Sequence, residues 1–316
     1  MSGVNSMKNK RVVFMGTPEF SVPVLEMLIH ETNVVLVVSQ PDSYVGRHHE
    51  LRMSPVKEVA VKNNIEVFTP EKIRNDYDRI LEVKPDIIIT CAYGQIIPDI
   101  LLETPKYKAV NVHASLLPKL RGGSPLHRAI INGYKETGIT IMFMASGMDD
   151  GDIIKQESIK ILDTDNVGTI HDKLSIMGRD LLLKTLPSIF DGTNERIHQN
   201  EKDVTFAYNI KREEEQLDFN KSAREVFNHI RGLYPFPTAY MMVNDEIIKV
   251  CESRIGESTK GDAGTITNIY NDGIGIKCKD KEIIITRLKP SGKKEMSARD
   301  YLNGKKKESL LGAKVC

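Results

Sequence analysis

The chain has 316 residues, 40% of them hydrophobic and 28% charged, an ordinary globular mixture with apolar material for about two domains. Its 44 Lys and Arg against 43 Asp and Glu leave a net charge of +1, so an anionic partner must be met by a local patch and not by the field of the whole molecule. The longest uninterrupted aliphatic run, 34–38, is far too short to cross a bilayer, and no apolar signal segment follows the start.

In chain order, residues 1–6 read as a leader ahead of Met7. Short Val- and Ile-rich runs then predict strands over 11–15, 34–39, 86–90, 109–113 and 139–144. Their near-continuous hydrophobicity is that of strands covered on both faces. Between them, amphipathic stretches predict helices over 23–30, 55–63, 73–83 and 125–132. This alternation predicts an α/β fold, a Rossmann-like, doubly wound, mostly parallel sheet, with ligands beyond the carboxyl ends of its strands. A long helix over 167–189, with its N-cap expected among Asp163, Thr164 and Asp165, closes this part, and Asp191-Gly192-Thr193 breaks it.

Residues 193–222 read as a polar linker with a short strand at 204–208, followed by a helix over 223–232 and the proline-punctuated Tyr234-Pro235-Phe236-Pro237. From 239 the texture changes to short alternating runs (239–243, 246–250, 264–269, 273–277, 282–288) separated by Asn, Asp and Gly turn signals. They predict a small antiparallel barrel. Residues 277–316 hold 12 Lys and Arg against 5 Asp and Glu. Composition leaves open whether this is a nucleic-acid footprint or a solvated lysine surface. The four cysteines form no C-x-x-C pair and have no histidine at zinc spacing, which predicts a reducing, cytoplasmic setting without disulfides or structural zinc.

Five motifs carry possible chemistry. Phe14-Met15-Gly16-Thr17-Pro18 follows the first strand, but Gly16 lacks the companions of a dinucleotide fingerprint, which speaks against a nicotinamide enzyme. Asn111-Val112-His113 ends a buried strand, and alternation places Asn111 and His113 on one side. Ser115-Leu116-Leu117-Pro118 follows as a turn stiffened by proline, either an ordinary strand-to-loop turn or one that leaves neighbouring backbone groups free for a ligand. Arg121-Gly122-Gly123-Ser124-Pro125 then opens a helix with Ser124 as N-cap and Pro125 at N1. Gly147-Met148-Asp149-Asp150-Gly151-Asp152 is an acidic loop without EF-hand spacing, so a carboxylate that orients or charges a histidine is preferred to a metal site.

Together these motifs resemble the folate-dependent formyltransferases. Phe14-Met15-Gly16-Thr17-Pro18-Glu19-Phe20, Gln40-Pro41-Asp42 and Leu288-Lys289-Pro290-Ser291-Gly292-Lys293-Lys294 point to the methionyl-tRNA branch of that family. The resemblance covers nearly the whole chain from Met7. It implies a catalytic domain at 7–192, a linker at 193–205 and an OB-like tRNA-binding domain at 206–316. It also implies transfer of the formyl group of 10-formyltetrahydrofolate, without a metal, to the α-amine of methionyl initiator tRNA. On this likeness Asn111, His113 and Asp149 are catalytic, Ser115, Leu116, Leu117 and Pro118 bind folate, and Arg47 meets the tRNA acceptor stem. His48, His49 and Glu50 stand where relatives carry cations, and Asn209 where they carry Lys. Nothing demands more than a monomer or a membrane. A formyltransferase acting on an amino-sugar nucleotide remains the alternative.

Overall fold

A computed structural model describes residues 7–45, 50–303 and 310–316. The chain separates into two compact units that are discontinuous in sequence. One takes residues up to 123, 137–159 and 171–207; the other takes 124–136, 160–170 and 208–316.

The first unit is built on a seven-stranded sheet. Its strands are β1 (Arg11–Gly16), β2 (Asn33–Val38), β5 (Val67–Phe68), β6 (Ile87–Cys91), β7 (Ala109–His113), β8 (Glu136–Phe143) and β9 (Ile153–Lys160), in the order β5-β2-β1-β6-β7-β8-β9. The pairs from β5 to β7 are parallel, and β8 joins β7 antiparallel with His113 opposite Thr140. The mostly parallel, doubly wound prediction therefore holds. Val13, Met15, Leu36, Val38 and Ile88 point to one face and join a buried cluster with Ile80 and Leu101. Val12, Phe14, Val37, Ile87 and Ile89 are equally buried on the other, which is why these strands read as unbroken apolar runs.

Local chemistry sets the helix ends. Helix α1 (Val22–Glu31) and helix α2 (Pro55–Lys62) carry proline in the first turn, and Ser54 caps α2 by accepting the Lys57 N–H at 3.1 Å. The predicted helix over 73–83 shrinks to α3 (Asp78–Glu82): residues 73–75 form a separate turn, closed by the Asn75 N–H to Lys72 O at 3.0 Å, with the Ile73 N–H donating to Gln95 Oε1 at 2.8 Å. Helix α4 (Asp99–Glu103) precedes β7. A two-stranded hairpin of β3 (Ser43–Val45) and β4 (Glu50–Arg52) pairs Tyr44 with Leu51, both exposed.

The second unit holds helix α5 (Pro125–Ile131), helix α7 (Ala223–Leu233) and a six-stranded antiparallel sheet. Its strands are β10 (Tyr240–Val243), β11 (Glu246–Ile255), β12 (Ile266–Ile269), β13 (Ile274–Lys277), β14 (Glu282–Pro290) and β15 (Met296–Ser297), followed by helix α8 (Ala298–Asn303). The order is β10-β11-β14-β13-β12, with β15 on β14. The C-terminal segment then joins both open edges: Val315 bridges Val243 of β10, and the Ile266 N–H of β12 donates to Ala313 O at 3.0 Å. Val226, Ile230, Met241, Val250, Ile276 and Ile285 share one core. Helix α7 starts with a capping box in which Ser222 and Glu225 satisfy each other's backbone N–H.

Helix α6 (Val167–Asp191) is the long helix read from sequence. Its cap is Asn166, not a residue of 163–165: Asn166 Oδ1 accepts the Thr169 N–H at 3.0 Å, and Thr169 Oγ1 accepts the Asn166 N–H at 3.1 Å. Asp165 is instead taken by the Leu162 N–H and the Thr169 hydroxyl.

In the second unit, Arg128 of α5 grips Glu214 with two nitrogens at 2.7 and 3.0 Å, and this holds the Glu214 carboxyl at about 2, against an ordinary 4.5. A carboxyl lowered on folding stabilises the fold fully above its unfolded value and loses that contribution as pH falls toward the folded one. Glu214→Gln should therefore unfold more easily than the parent by about 1 kcal/mol near neutral pH, a figure reduced for solvent screening of a part-exposed pair. The difference should shrink between pH 4.5 and 2 in urea titrations, and a pH-independent difference would contradict the assignment.

Candidate active site

The site lies at the carboxyl end of β7, where alternation turns Asn111 and His113 to the same side. Asn111 is half-buried, and its Oδ1 accepts the Thr90 hydroxyl of β6 at 2.8 Å. Thr90 also approaches Met144 Sδ at 3.3 Å. With Oδ1 engaged, the Asn111 Nδ2 is the group left to donate outward.

His113 is 6% exposed. Its Nε2 faces Leu120 O at 3.1 Å, and because a carbonyl only accepts, that nitrogen carries the proton. The other ring nitrogen, Nδ1, lies 3.6 Å from Asp149 Oδ1. That is longer than a direct hydrogen bond and within the range of an ion pair. Asp149 Oδ2 accepts the Gly122 N–H at 2.8 Å, so one carboxylate oxygen is fixed by backbone while the other turns to the imidazole.

Two non-glycine residues of this group have left-handed backbones, Leu120 at φ 62° and Asp149 at φ 49°. Such conformations persist only where surrounding bonds hold them. For Leu120 the bonds are its own N–H to Thr205 Oγ1 at 2.9 Å and the Arg121 N–H to Thr205 O at 2.9 Å. At Gly151 a Cβ would sit 1.9 Å from Phe143 O, so only glycine lets the acidic loop close against the end of β8. At Gly16 a Cβ would meet Cys91 O at 2.9 Å; that glycine serves close packing of β1 against β6. The neighbouring Cys91 thiol is pushed up to about 12 by burial, which leaves it un-ionised near neutral pH.

In the turn after β7, the Leu117 N–H goes to Thr140 Oγ1 at 3.1 Å, Leu117 O accepts Gln156 Nε2 at 2.9 Å, and Ser115 O accepts Thr140 Oγ1 at 2.6 Å. Ser115 Oγ donates to Lys119 O at 2.7 Å. The Leu117 and Ser115 backbone groups are thus engaged by β8 and β9 and the Ser115 hydroxyl by the turn's own backbone; the turn also presents the half-buried surface of Leu116 and Pro118. The other two acids of the loop do not converge on Asp149 to form a cation cage: Asp152 pairs with Arg196 at 2.9 Å and with His198. Among the described residues no group of three or more His, Cys, Asp or Glu is placed to hold a metal.

The structure thus brings Asn111, His113 and Asp149 to one end of the sheet. It adds Thr90 and Leu120, which no composition or spacing signal marks, and gives the backbone N–H of Gly122, within the motif 121–125, a partner in Asp149. Arg47 lies outside the described residues. Ser124 stands at the N-cap of α5 but makes no side-chain cap bond; its hydroxyl approaches Asn209 Oδ1 at 3.3 Å. Hollows of about 490 Å³ beside Glu26, His30 and Arg179 and of about 370 Å³ beside Phe219 and Cys316 are lined by none of the catalytic candidates.

The Formyl transferase family pattern matches residues 10–186, and that of the Formyl transferase C-terminal domain matches 209–306. The methionyl-tRNA formyltransferase of Staphylococcus epidermidis is 50% identical over 305 residues, covering 96% of this chain and 98% of its own. The chain belongs to the methionyl-tRNA formyltransferase family. The Staphylococcus aureus relative is 48% identical over 309 residues, covering 96% and 99%. Among solved structures, an N-formyltransferase from Helicobacter canadensis, in complex with folinic acid and dTDP-3-aminofucose, superposes with a TM-score of 0.66 at 22% identity, covering 88% of this chain and 98% of that one. HypX from Aquifex aeolicus in complex with tetrahydrofolic acid gives 0.62 at 16%, covering 93% and 47%. At these identities the two structures share the fold with this formyltransferase-family chain. No helix among its described residues is long and apolar enough to cross a membrane.

Proposed function

We propose that this chain transfers the formyl group of 10-formyltetrahydrofolate to the α-amine of methionine on initiator tRNA, in the cytoplasm. Residues 7–192 carry the catalysis and 206–316 engage the tRNA, with 193–205 between them. The reading is supported by family membership at 50% identity, and the observation that carries it is the placement of His113 Nδ1 3.6 Å from Asp149 Oδ1, on the strand face that also presents Asn111. A sugar nucleotide is the weaker acceptor, since the N-formyltransferase from Helicobacter canadensis, solved with dTDP-3-aminofucose, is only 22% identical.

The residues fit the chemistry. A neutral amine attacks the formyl carbon, and the carbonyl oxygen becomes an oxyanion. Asn111 Nδ2, with its own oxygen engaged by Thr90, donates to that oxyanion. The amine must lose a proton as the new C–N bond forms. Asp149 accepts it, directly or through His113 Nδ1, the one ring nitrogen not bonded to backbone. When the bond to folate N10 breaks, the same proton passes to that nitrogen, so the transfer balances without a covalent enzyme intermediate. Leu116 and Pro118 offer an apolar wall for the pteridine. Arg47 and the basic residues of 277–316 contribute phosphate contacts.

The decisive assay compares formylation of charged initiator tRNA, charged elongator tRNA and an amino-sugar nucleotide at two salt concentrations. The initiator should be preferred at both, while affinity falls with salt as counterions compete for phosphate contacts. A sugar amine formylated faster than Met-tRNA would overturn the acceptor assignment.

A further inference from the structure

Gln199 lies in the stretch after α6 that the sequence presents only as polar linker, yet its side chain reaches the loop of Asp149. Its Nε2 donates to Asp149 O at 2.7 Å and to Gly151 O at 2.8 Å. Its Oε1 accepts Arg121 Nε at 3.0 Å. The amide orientation is unambiguous, because carbonyls can only accept and a guanidinium can only donate. Arg121 is 5% exposed and continues to Glu201 Oε1 at 2.9 Å.

One amide therefore ties both sides of the carboxylate together. It holds the backbone of Asp149 and Gly151 directly, and it holds Arg121, whose neighbour Gly122 donates to Asp149 Oδ2 at 2.8 Å. The flanking chain is held on either side: Ile197 and Ile153 exchange both backbone bonds at 2.9 Å, and the Ala207 N–H donates to Arg121 O at 2.7 Å. The left-handed backbone of Asp149, φ 49°, is thus held in place by a residue fifty positions away in the chain. Asparagine is one methylene shorter, glutamate loses both donors, and methionine keeps only the volume.

We infer that Gln199 is a positioning residue for this reaction: its two N–H groups set the Asp149 carboxylate against His113. The inference rests on the catalytic reading of Asp149. Displacing a reacting group by an ångström or less costs up to about 10²-fold in rate, so removing this clamp should matter while leaving substrate contacts intact.

The test uses the full-length enzyme with Gln199→Met, Gln199→Glu and Asp149→Asn, each measured for kcat, both KM values, the pH profile of kcat and the folded fraction. Both Gln199 variants should lose about tenfold in kcat, with KM values within about twofold and a displaced pH profile. The glutamate variant separates the possibilities, since it retains and strengthens the Arg121 contact while removing both donors. Parental kcat in Gln199→Glu, or losses that follow the folded fraction, would overturn the positioning role. If Asp149→Asn is crippled while both Gln199 variants turn over normally, the clamp alone fails. If Asp149→Asn is also unimpaired, the catalytic reading beneath it fails.

Discussion

Asn111→Ala should lower kcat by about 10²–10³-fold, the usual cost of losing one donor to a developing oxyanion. The size follows from how the amide is held. Thr90 donates to Oδ1 at 2.8 Å, so the Nδ2 end is presented without a reorientation step. A preorganised donor contributes little to binding a neutral carbonyl and much to stabilising the charge that appears on its oxygen, so both KM values should stay close to the parent's. Asn111→Asp is the sharper control: it keeps the shape and places negative charge where the oxyanion forms, and it should be at least as impaired. Single-turnover formylation of charged initiator tRNA reads the chemical step directly. A loss below tenfold, or one carried wholly by KM, would remove Asn111 from the reaction.

Asp149→Asn should lower kcat by about 10²–10⁴-fold, the range for a lost general base. The substitution is unusually clean here. Asparagine tolerates the left-handed backbone at φ 49° as well as aspartate does, and its oxygen can still accept the Gly122 N–H. What disappears is the charge and the proton acceptor. Because Asp149 Oδ1 lies 3.6 Å from His113 Nδ1, the two should behave as one unit: His113→Ala combined with Asp149→Asn should be scarcely slower than the worse single variant. Multiplicative losses would mean that the two act independently.

The parallel strands were readable because both faces are covered: β6 reads Ile-Ile-Ile-Thr-Cys and every one of these residues is buried. The alternating runs of the barrel were readable for an equally local reason, a period of two broken by turn residues. Strand β9 was not, since Lys155, Gln156, Glu157 and Ser158 give no alternation, and its place is set by pairing beside β8. The short strand expected over 204–208 is a single bridge between Arg121 and Phe206. Nothing local in Lys314 and Val315 announces that they pair with both edges of the barrel.

The amino-acid order alone determined which side chains could do the chemistry and that Asn111 and His113 share a face, because a strand repeats every two residues whatever surrounds it. Tertiary structure decided everything that depends on long-range backbone bonds: that Leu120 O fixes the histidine tautomer, that Asp149 meets Nδ1, and that Gln199 holds the loop beneath it. A hydrogen bond to a carbonyl 50 residues away asks nothing of the intervening sequence, and so leaves no period or composition from which to read it.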